Sequence, residues 1–155
     1  MIAPIGAVTK EITKMYAGVF TSYLEGLPLD RHYYPLYLLN ERKTAPTQQE
    51  LGEMLGAGKA LMVRIIDYLA DRNLVTRKPN PADRRCYLIE LTNTGKELVP
   101  QIEKAMMKTD EVCLQNMNNR EKQKAREILN TILTNLNSEP ANEYDVEFSK
   151  RLDHE

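Results

Sequence analysis

The sequence predicts a mainly α-helical protein with one small β-hairpin, and two patterns support this prediction. Apolar residues recur at helical spacing through most of the chain, whereas two short runs, 74–77 and 87–91, are rich in strand-forming residues. The chain of 155 residues is also long enough for one compact core, since domains usually have about 100–150 residues. We therefore interpret residues 1–155 as a single domain.

The first two helices are predicted from apolar spacing and from the turn signals between them. Apolar residues at helical spacing occupy 5–23, and a turn-rich stretch with Gly and Pro follows at 25–28. Asp30 is a suitable N-cap for a second helix that runs to about Arg42. Pro35 lies within its first two turns and is expected to bend it.

The next segment predicts a helix-turn-helix. Thr47 and Glu50 have the spacing of a capping box, in which each side chain bonds the other residue's backbone N–H, and they open a short helix to about Leu55. The glycines of 56–58 then break the chain, and helical spacing resumes over 59–72. Two short helices joined by a tight glycine turn are typical of a helix-turn-helix.

A β-hairpin with a long basic tip is predicted to follow. The two strand-like runs, 74–77 and 87–91, flank a loop at 78–85 whose prolines, Pro79 and Pro81, should prevent ladder pairing. Such a hairpin after a helix-turn-helix is a wing. We therefore assign residues 30–92 to a winged helix-turn-helix domain.

Two helices are predicted after the wing. Thr92 can cap a long helix from about Asn93 to Met117, in which Pro100 is a candidate position for a bend. Asn118 or its neighbour then restarts a final helix with an apolar stripe. The stripe consists of Ala125, Ile128, Leu129, Ile132, Leu133 and Leu136.

The terminal helices have more apolar face than one subunit can cover. We therefore predict a helical dimerisation region, formed by residues 5–28 and 93–136, that holds a homodimer together. The remaining residues, 137–155, form an acidic tail that is polar and interrupted by Pro140, and we expect it to be partly disordered.

The net charge of −1 hides an asymmetry along the chain. Residues 59–85 contain seven basic and three acidic side chains, whereas residues 138–155 contain six acidic and two basic ones. A basic middle and an acidic tail can serve different partners. The alternative is the scattered surface charge of any small protein.

Several classes of protein and site lack support in the sequence. No apolar run approaches the roughly 20 residues that cross a bilayer, and the first ten residues do not resemble a signal peptide, so we expect a cytoplasmic protein without a membrane partner. Cys86 and Cys113 are expected to be reduced thiols, with oxidant sensing as the alternative. Two histidines and no nucleophile–base or phosphate-loop pattern predict no metal site, no cofactor and no enzyme.

The order of elements resembles that of the MarR family of bacterial regulators over residues 5–136, and short motifs carry the resemblance. They are Gln49-Glu50-Leu51 with Leu55, Arg64-Ile65-Ile66-Asp67-x-Leu69, Asn73-Leu74-Val75, Pro79-x-Pro81-x-Asp83-Arg84-Arg85 and Leu91-Thr92-x-x-Gly95. The resemblance implies a transcription regulator that binds double-stranded DNA at a palindromic operator as a homodimer. It further implies a repressor that a small molecule releases.

By this resemblance, the helix from Lys59 enters the major groove and the wing reaches the flanking minor groove, which suits the shapes of the two grooves. Asp83 would orient the wing arginine, Arg85, through a bidentate pair. The alternative for Arg85 is a solvated loop charge. The predicted DNA-binding residues are Lys59, Arg64, Arg77, Lys78, Asp83, Arg84 and Arg85.

The resemblance also implies a pocket for a small aromatic or phenolic effector, lined by the first two helices and the fifth. Aromatic residues are concentrated in the first quarter of the chain and would suit such a ligand, although plain core packing explains them as well. The candidate pocket residues are Tyr16, Phe20, His32, Tyr33 and Tyr37.

Three positions depart from the family pattern. Gly58 stands where the family often has Ser or Asp, and Val63 stands where it has Ser or Thr, so Val63 offers no hydrogen bond to DNA. Asn73 stands where Gly is usual, as the next-best residue for a left-handed helix end. Gly58 and Val63 motivate an alternative function, a protein-binding adaptor that keeps the fold and has lost specific DNA binding.

Overall fold

The computed structural model describes residues 2–29 and 32–140, and this part of the chain contains six helices and one two-stranded antiparallel sheet. In chain order the elements are α1 (Ile5–Ser22), α2 (Tyr33–Asn40), α3 (Gln48–Leu55), α4 (Lys59–Asp71), β1 (Val75–Pro79), β2 (Tyr87–Leu91), α5 (Asn93–Cys113) and α6 (Asn119–Asn137). The predicted fold class, mainly α with a hairpin wing, is confirmed. No helix in these described ranges is long and apolar enough to span a membrane.

The helix-turn-helix forms as the sequence predicts. The Glu50 backbone N–H donates to Thr47 Oγ1 at 3.2 Å, and the Thr47 N–H donates to Glu50 Oε2 at 2.7 Å, which completes the capping box. Gly56 ends α3 with a left-handed φ of 61°, a conformation that glycine adopts without strain. Gly58 then occupies the N-cap of α4 without a side chain to cap it.

The second helix is shorter than predicted. It begins at Tyr33, with His32 at the N-cap in a left-handed conformation, and it ends at Asn40 instead of Arg42. The predicted cap, Asp30, lies outside the described residues. Pro35 is the third residue of the helix, where a backbone N–H has no acceptor within the helix, so the missing donor of proline costs nothing there.

The hairpin is also longer than predicted on its first strand. Val75 pairs with Leu91, and the ladder continues to Pro79, which pairs with Tyr87. The expectation that Lys78 and Pro79 belong to the loop was therefore wrong. Pro79 is accommodated because it is the last residue of its strand, where the missing N–H removes no interior ladder bond.

The start of α5 is locked against the end of α4. Thr92 Oγ1 accepts the Gly95 N–H at 3.0 Å and donates to the Asn73 carbonyl at 2.5 Å. Asn73 adopts the expected left-handed conformation, with a φ of 55°. A Cβ at Gly95 would lie 2.1 Å from the Leu74 carbonyl oxygen, so only glycine allows this close approach of α5 to the chain that enters the wing.

The turn between the last two helices lies earlier than predicted. α5 ends at Cys113 instead of Met117, and Asn116 turns the chain with a left-handed φ of 64°. Asn118 then caps α6 through a second capping box with Glu121. An asparagine accepts a left-handed backbone more readily than most residues, so Asn116 is a suitable residue for this turn.

The core lies between the first five helices and the hairpin, and α6 contributes no buried residue to it. Fully buried side chains from six elements meet there. They include Phe20 of α1, Leu36 of α2, Leu51 of α3, Ile66 of α4, Ile89 of β2 and Ile102 of α5. This core fixes α4 and the wing relative to each other, and it leaves the apolar side chains of α6 uncovered within the subunit.

Candidate nucleic-acid interface

The exposed face of α4 follows directly from the burial of the opposite face. Met62, Ile66 and Leu69 are turned into the core. The exposed side chains lie on the other side, at Lys59, Val63, Arg64 and Asp67. Val63 is 39% exposed, so its isopropyl group forms part of this surface. A helix that presents two cations on an open face has the shape and charge to enter a major groove.

The tip of the wing holds an arginine in a carboxylate fork. Arg85 Nε lies 3.1 Å from Asp83 Oδ1, and Arg85 Nη2 lies 3.2 Å from Asp83 Oδ2. Hydrogen bonds from Arg85 keep the pKa of the Asp83 carboxyl below its usual value, and the same pair raises the pKa of Arg85. The Arg85 side chain is nevertheless 89% exposed, so the guanidinium is oriented while it stays accessible to a ligand.

Backbone bonds within the loop fix the position of Asp83. The Cys86 N–H donates to the Asp83 carbonyl at 3.0 Å, and the Asn80 N–H donates to the Cys86 carbonyl at 3.1 Å. The Asn80 side chain accepts the Ala82 N–H at 2.9 Å, and the Arg85 N–H bonds Asp83 Oδ1 at 3.0 Å. The half-buried Cys86 thiol lies 3.7 Å from Asp83 Oδ2. The loop is therefore a set of hydrogen-bonded turns that present Arg85.

The two predicted cations at the base of the wing are already paired. Arg77 Nη2 lies 2.6 Å from Asp67 Oδ1, which ties β1 to the exposed face of α4. Lys78 pairs with Glu90 across the hairpin. Sequence reasoning missed this role of Asp67, whose only signal is an acidic residue within a basic stretch. The structure thus brings Lys59 and Arg64 together on α4, and it places Asp83, Arg84 and Arg85 at the wing tip.

The candidate effector residues are packed against one another and the core. Phe20 is fully buried, and its ring centroid lies 3.8 Å from that of Tyr33. The Tyr37 ring stacks on Tyr34, and His32 meets the ring of Tyr68 edge-on at 5.1 Å. The aromatic residues of α1 and α2 therefore fill space that a ligand would need.

Tyr16 differs from the other four candidates because it lines an open groove. Its hydroxyl donates to Asp110 at 3.1 Å, and burial together with this carboxylate raises its pKa. The groove, about 740 Å³ in volume, lies between α1 and the end of α5 and is bordered by Val8, Ile12 and Val112. A second cleft of about 250 Å³ lies beside Tyr23 and is lined by Glu25, Leu27, Gln101, Lys104 and Lys108.

The fold of this chain is similar to that of known proteins. Residues 26–85 match the model of the MarR family. Similar solved structures include a MarR transcriptional regulator from Methanosarcina mazei Go1, with 22% identity, a TM-score of 0.78, and coverage of 86% of this chain and 96% of that one. The transcriptional regulator SlyA has 19% identity, a TM-score of 0.80, and coverage of 88% and 96%. Wild-type MarR from E. coli in its apo form has 22% identity, a TM-score of 0.70, and coverage of 86% and 98%. At sequence identities of 19–22%, these structural similarities establish the fold of the chain only.

Proposed function

We propose that this chain, whose residues 26–85 match the model of the MarR family, is a transcription regulator of that family that binds double-stranded DNA. The observation that carries this proposal is the Asp83–Arg85 fork at the tip of the wing, whose first strand is joined to the exposed face of α4 by the Arg77–Asp67 pair. A guanidinium held in one orientation suits the narrow, electronegative minor groove, while Lys59 and Arg64 on α4 suit the adjacent major groove.

The proposed regulator acts as a homodimer. Exposed apolar side chains of α1 and α6 support this, because Ile12 of α1 is 53% exposed and Leu133 of α6 is 57% exposed within the subunit. The groove between α1 and α5 is a further apolar surface that a second copy would cover. A two-fold dimer with one α4 per subunit would meet a palindromic operator with half-sites about 10 base pairs apart, centre to centre.

The experiment that tests DNA recognition replaces the two members of the fork separately. We expect Arg85→Ala to weaken operator binding by about 1–3 kcal/mol, because it removes an oriented minor-groove contact. We expect Asp83→Ala to weaken binding as well, although it removes a negative charge, because it releases the arginine fork. The measurement is a titration of each variant onto a footprinted operator at two salt concentrations.

A matched control and two outcomes make this test decisive. Arg84→Ala removes the same charge from the same loop, but Arg84 has no ion pair among the described residues, so this variant measures the loss of a cation that no carboxylate orients. A wing that acts only by charge predicts that Asp83→Ala tightens binding, since an acidic group near phosphate is lost. Tighter binding by Asp83→Ala would therefore refute the oriented arginine.

We further propose that the regulator is a repressor that a small aromatic or phenolic acid releases from DNA. The rings of Phe20 and Tyr33 are packed together and leave no room for a ligand between them. The cleft beside Tyr23 offers open space for a ligand instead. Lys104 and Lys108 line this cleft, and Lys108 Nζ lies 5.3 Å from the centroid of the Tyr23 ring. An aromatic acid could stack on the tyrosine while an ammonium group binds its carboxylate.

We expect the variant Lys104→Gln/Lys108→Gln to bind operator normally and to need at least about tenfold more aromatic acid for release, since it loses two charge-assisted contacts. The measurement is operator release against benzoate and salicylate concentration. Lys10→Gln/Lys14→Gln on α1 is the control, because it removes the same charge from outside the cleft. Equal release of both variants would exclude this cleft as the effector site.

The alternative function is a protein-binding adaptor, which the exposed Val63 favours because it offers no hydrogen bond to a base or phosphate. A regulator should prefer its operator over scrambled DNA and show a steep salt dependence. Equal affinity for operator and scrambled DNA would favour the adaptor.

A further inference from the structure

The basic surface of α4 and the wing has an acidic counterpart in the same chain. We define the basic face as Lys59, Arg64, Arg84 and Arg85. The segment 141–155, which follows the last described residue, contains five acidic and two basic side chains. Within it, acidic residues alternate with apolar ones over 143–148, in the order Glu143, Tyr144, Asp145, Val146, Glu147, Phe148.

Two cations of the basic face have no partner among the described residues. The side chains of Lys59 and Arg84 make no ion pair or hydrogen bond in residues 2–29 and 32–140, and both are exposed. Arg85 is paired with Asp83, yet 89% of its side chain is exposed. The face is therefore open to an anionic ligand, and carboxylates bind Lys and Arg through the same charge-assisted bonds as phosphates.

The segment, when extended, is longer than either of the two helices that separate it from the wing. Fifteen extended residues span about 50 Å. α5 connects the wing to the turn before α6, and its 21 residues correspond to about 31 Å. The 19 residues of α6, which end just before the segment, correspond to about 28 Å. A tethered segment also has a high effective concentration, on the order of millimolar for short flexible linkers, so a weak contact can be populated without help from a second molecule.

We propose that residues 141–155 bind the basic face of the same dimer and compete with DNA for it, which makes the acidic segment an autoinhibitory element. The alternating pattern suits this contact, because Glu143, Asp145 and Glu147 would share one side of the segment if it bound in an extended conformation. DNA displaces the segment because the operator offers more phosphates than the segment offers carboxylates. This inference rests on the proposed function, since it assigns the basic face to DNA.

The contact itself can be measured without DNA. The chain contains no tryptophan, so Phe148→Trp introduces a single fluorescent reporter into the acidic segment. We expect its anisotropy to fall when Lys59→Gln/Arg84→Gln is added and to fall when heparin competes for the basic face. Lys10→Gln/Lys14→Gln, which removes the same charge from α1, should leave the anisotropy unchanged. The proposal would be overturned if neither heparin nor Lys59→Gln/Arg84→Gln changed the anisotropy of the reporter.

Competition with DNA gives the second readout. The variant Glu143→Gln/Asp145→Asn/Glu147→Gln is expected to bind DNA about three- to tenfold more tightly at low salt, with the difference vanishing as salt screens the contact. Long-range repulsion alone would give the same gain when Lys59→Gln/Arg84→Gln is already present, whereas docking predicts that the gain is then lost. An equal gain in both backgrounds would overturn docking. If no form binds DNA, the proposed function fails, and the anisotropy comparison still decides whether the segment docks.

Discussion

Replacing Gly95 by alanine is expected to destabilise the fold by about 3 kcal/mol or more, because the new methyl group would collide with backbone. An alanine Cβ would lie 2.1 Å from the Leu74 carbonyl oxygen and 3.1 Å from the Leu74 carbonyl carbon. Neither atom can turn away as a side chain can. Leu74 is also held by the Thr92 N–H, which donates to the same carbonyl at 3.1 Å.

The collision would therefore force α5 away from the wing and break the Thr92 bonds that join α5 to Asn73 and Leu74. The free energy of unfolding should be measured by urea denaturation followed by circular dichroism. Gly18→Ala is the matched control, because it makes the same substitution inside α1, where nothing lies within 4 Å of the added Cβ. It should be neutral or stabilise the protein by up to about 1 kcal/mol. Equal stability of Gly95→Ala and the wild type would mean that α5 can shift without cost.

Local signals in the sequence were sufficient for much of the fold. The capping box of Thr47 and Glu50, the Thr92 cap and the left-handed Asn73 all appear where predicted, because each depends on residues within a few positions along the chain. The start of α2 was predicted too early, because Asp30 is only one of several positions at which a helix could begin. Pro35, which is favoured in the first turn of a helix, indicated the start at Tyr33 better. Pro79 was predicted to lie in the loop because proline disrupts a strand interior. The strand accommodates it because it is the last residue of β1.

Contacts between distant residues explain the remaining differences at the candidate site. Arg77 stays a predicted DNA contact, but its pairing with Asp67 could not be predicted from the sequence because the pair depends on how β1 packs beside α4. The resemblance implied that Phe20 and Tyr33 line a pocket between the first two helices, yet the sequence could not show whether a gap remains between the two rings. The Asp83–Arg85 fork was predictable because both partners lie in one short loop.

Leu133→Glu is expected to dissociate the proposed dimer and to lower operator affinity by at least about 100-fold, since two half-sites can no longer be bound together. Leu129, Leu133 and Leu136 are 56%, 57% and 66% exposed, and α6 places no buried residue in the core of its own subunit. An isolated helix of this length is only marginally stable in water, so a second copy is the natural cover for the stripe. A carboxylate in the middle of that interface would lose its water without gaining a partner.

Light scattering at micromolar concentration and operator titration measure the two consequences of Leu133→Glu separately. Thr134→Glu is the matched control, because Thr134 is exposed on the opposite side of α6 and receives the same charge. It should remain dimeric and bind operator as the wild type does. A dimeric Leu133→Glu would show that the subunits meet through another surface. A monomer that still binds operator with full affinity would show that each winged helix acts alone, and the requirement for a palindromic operator would then be lost.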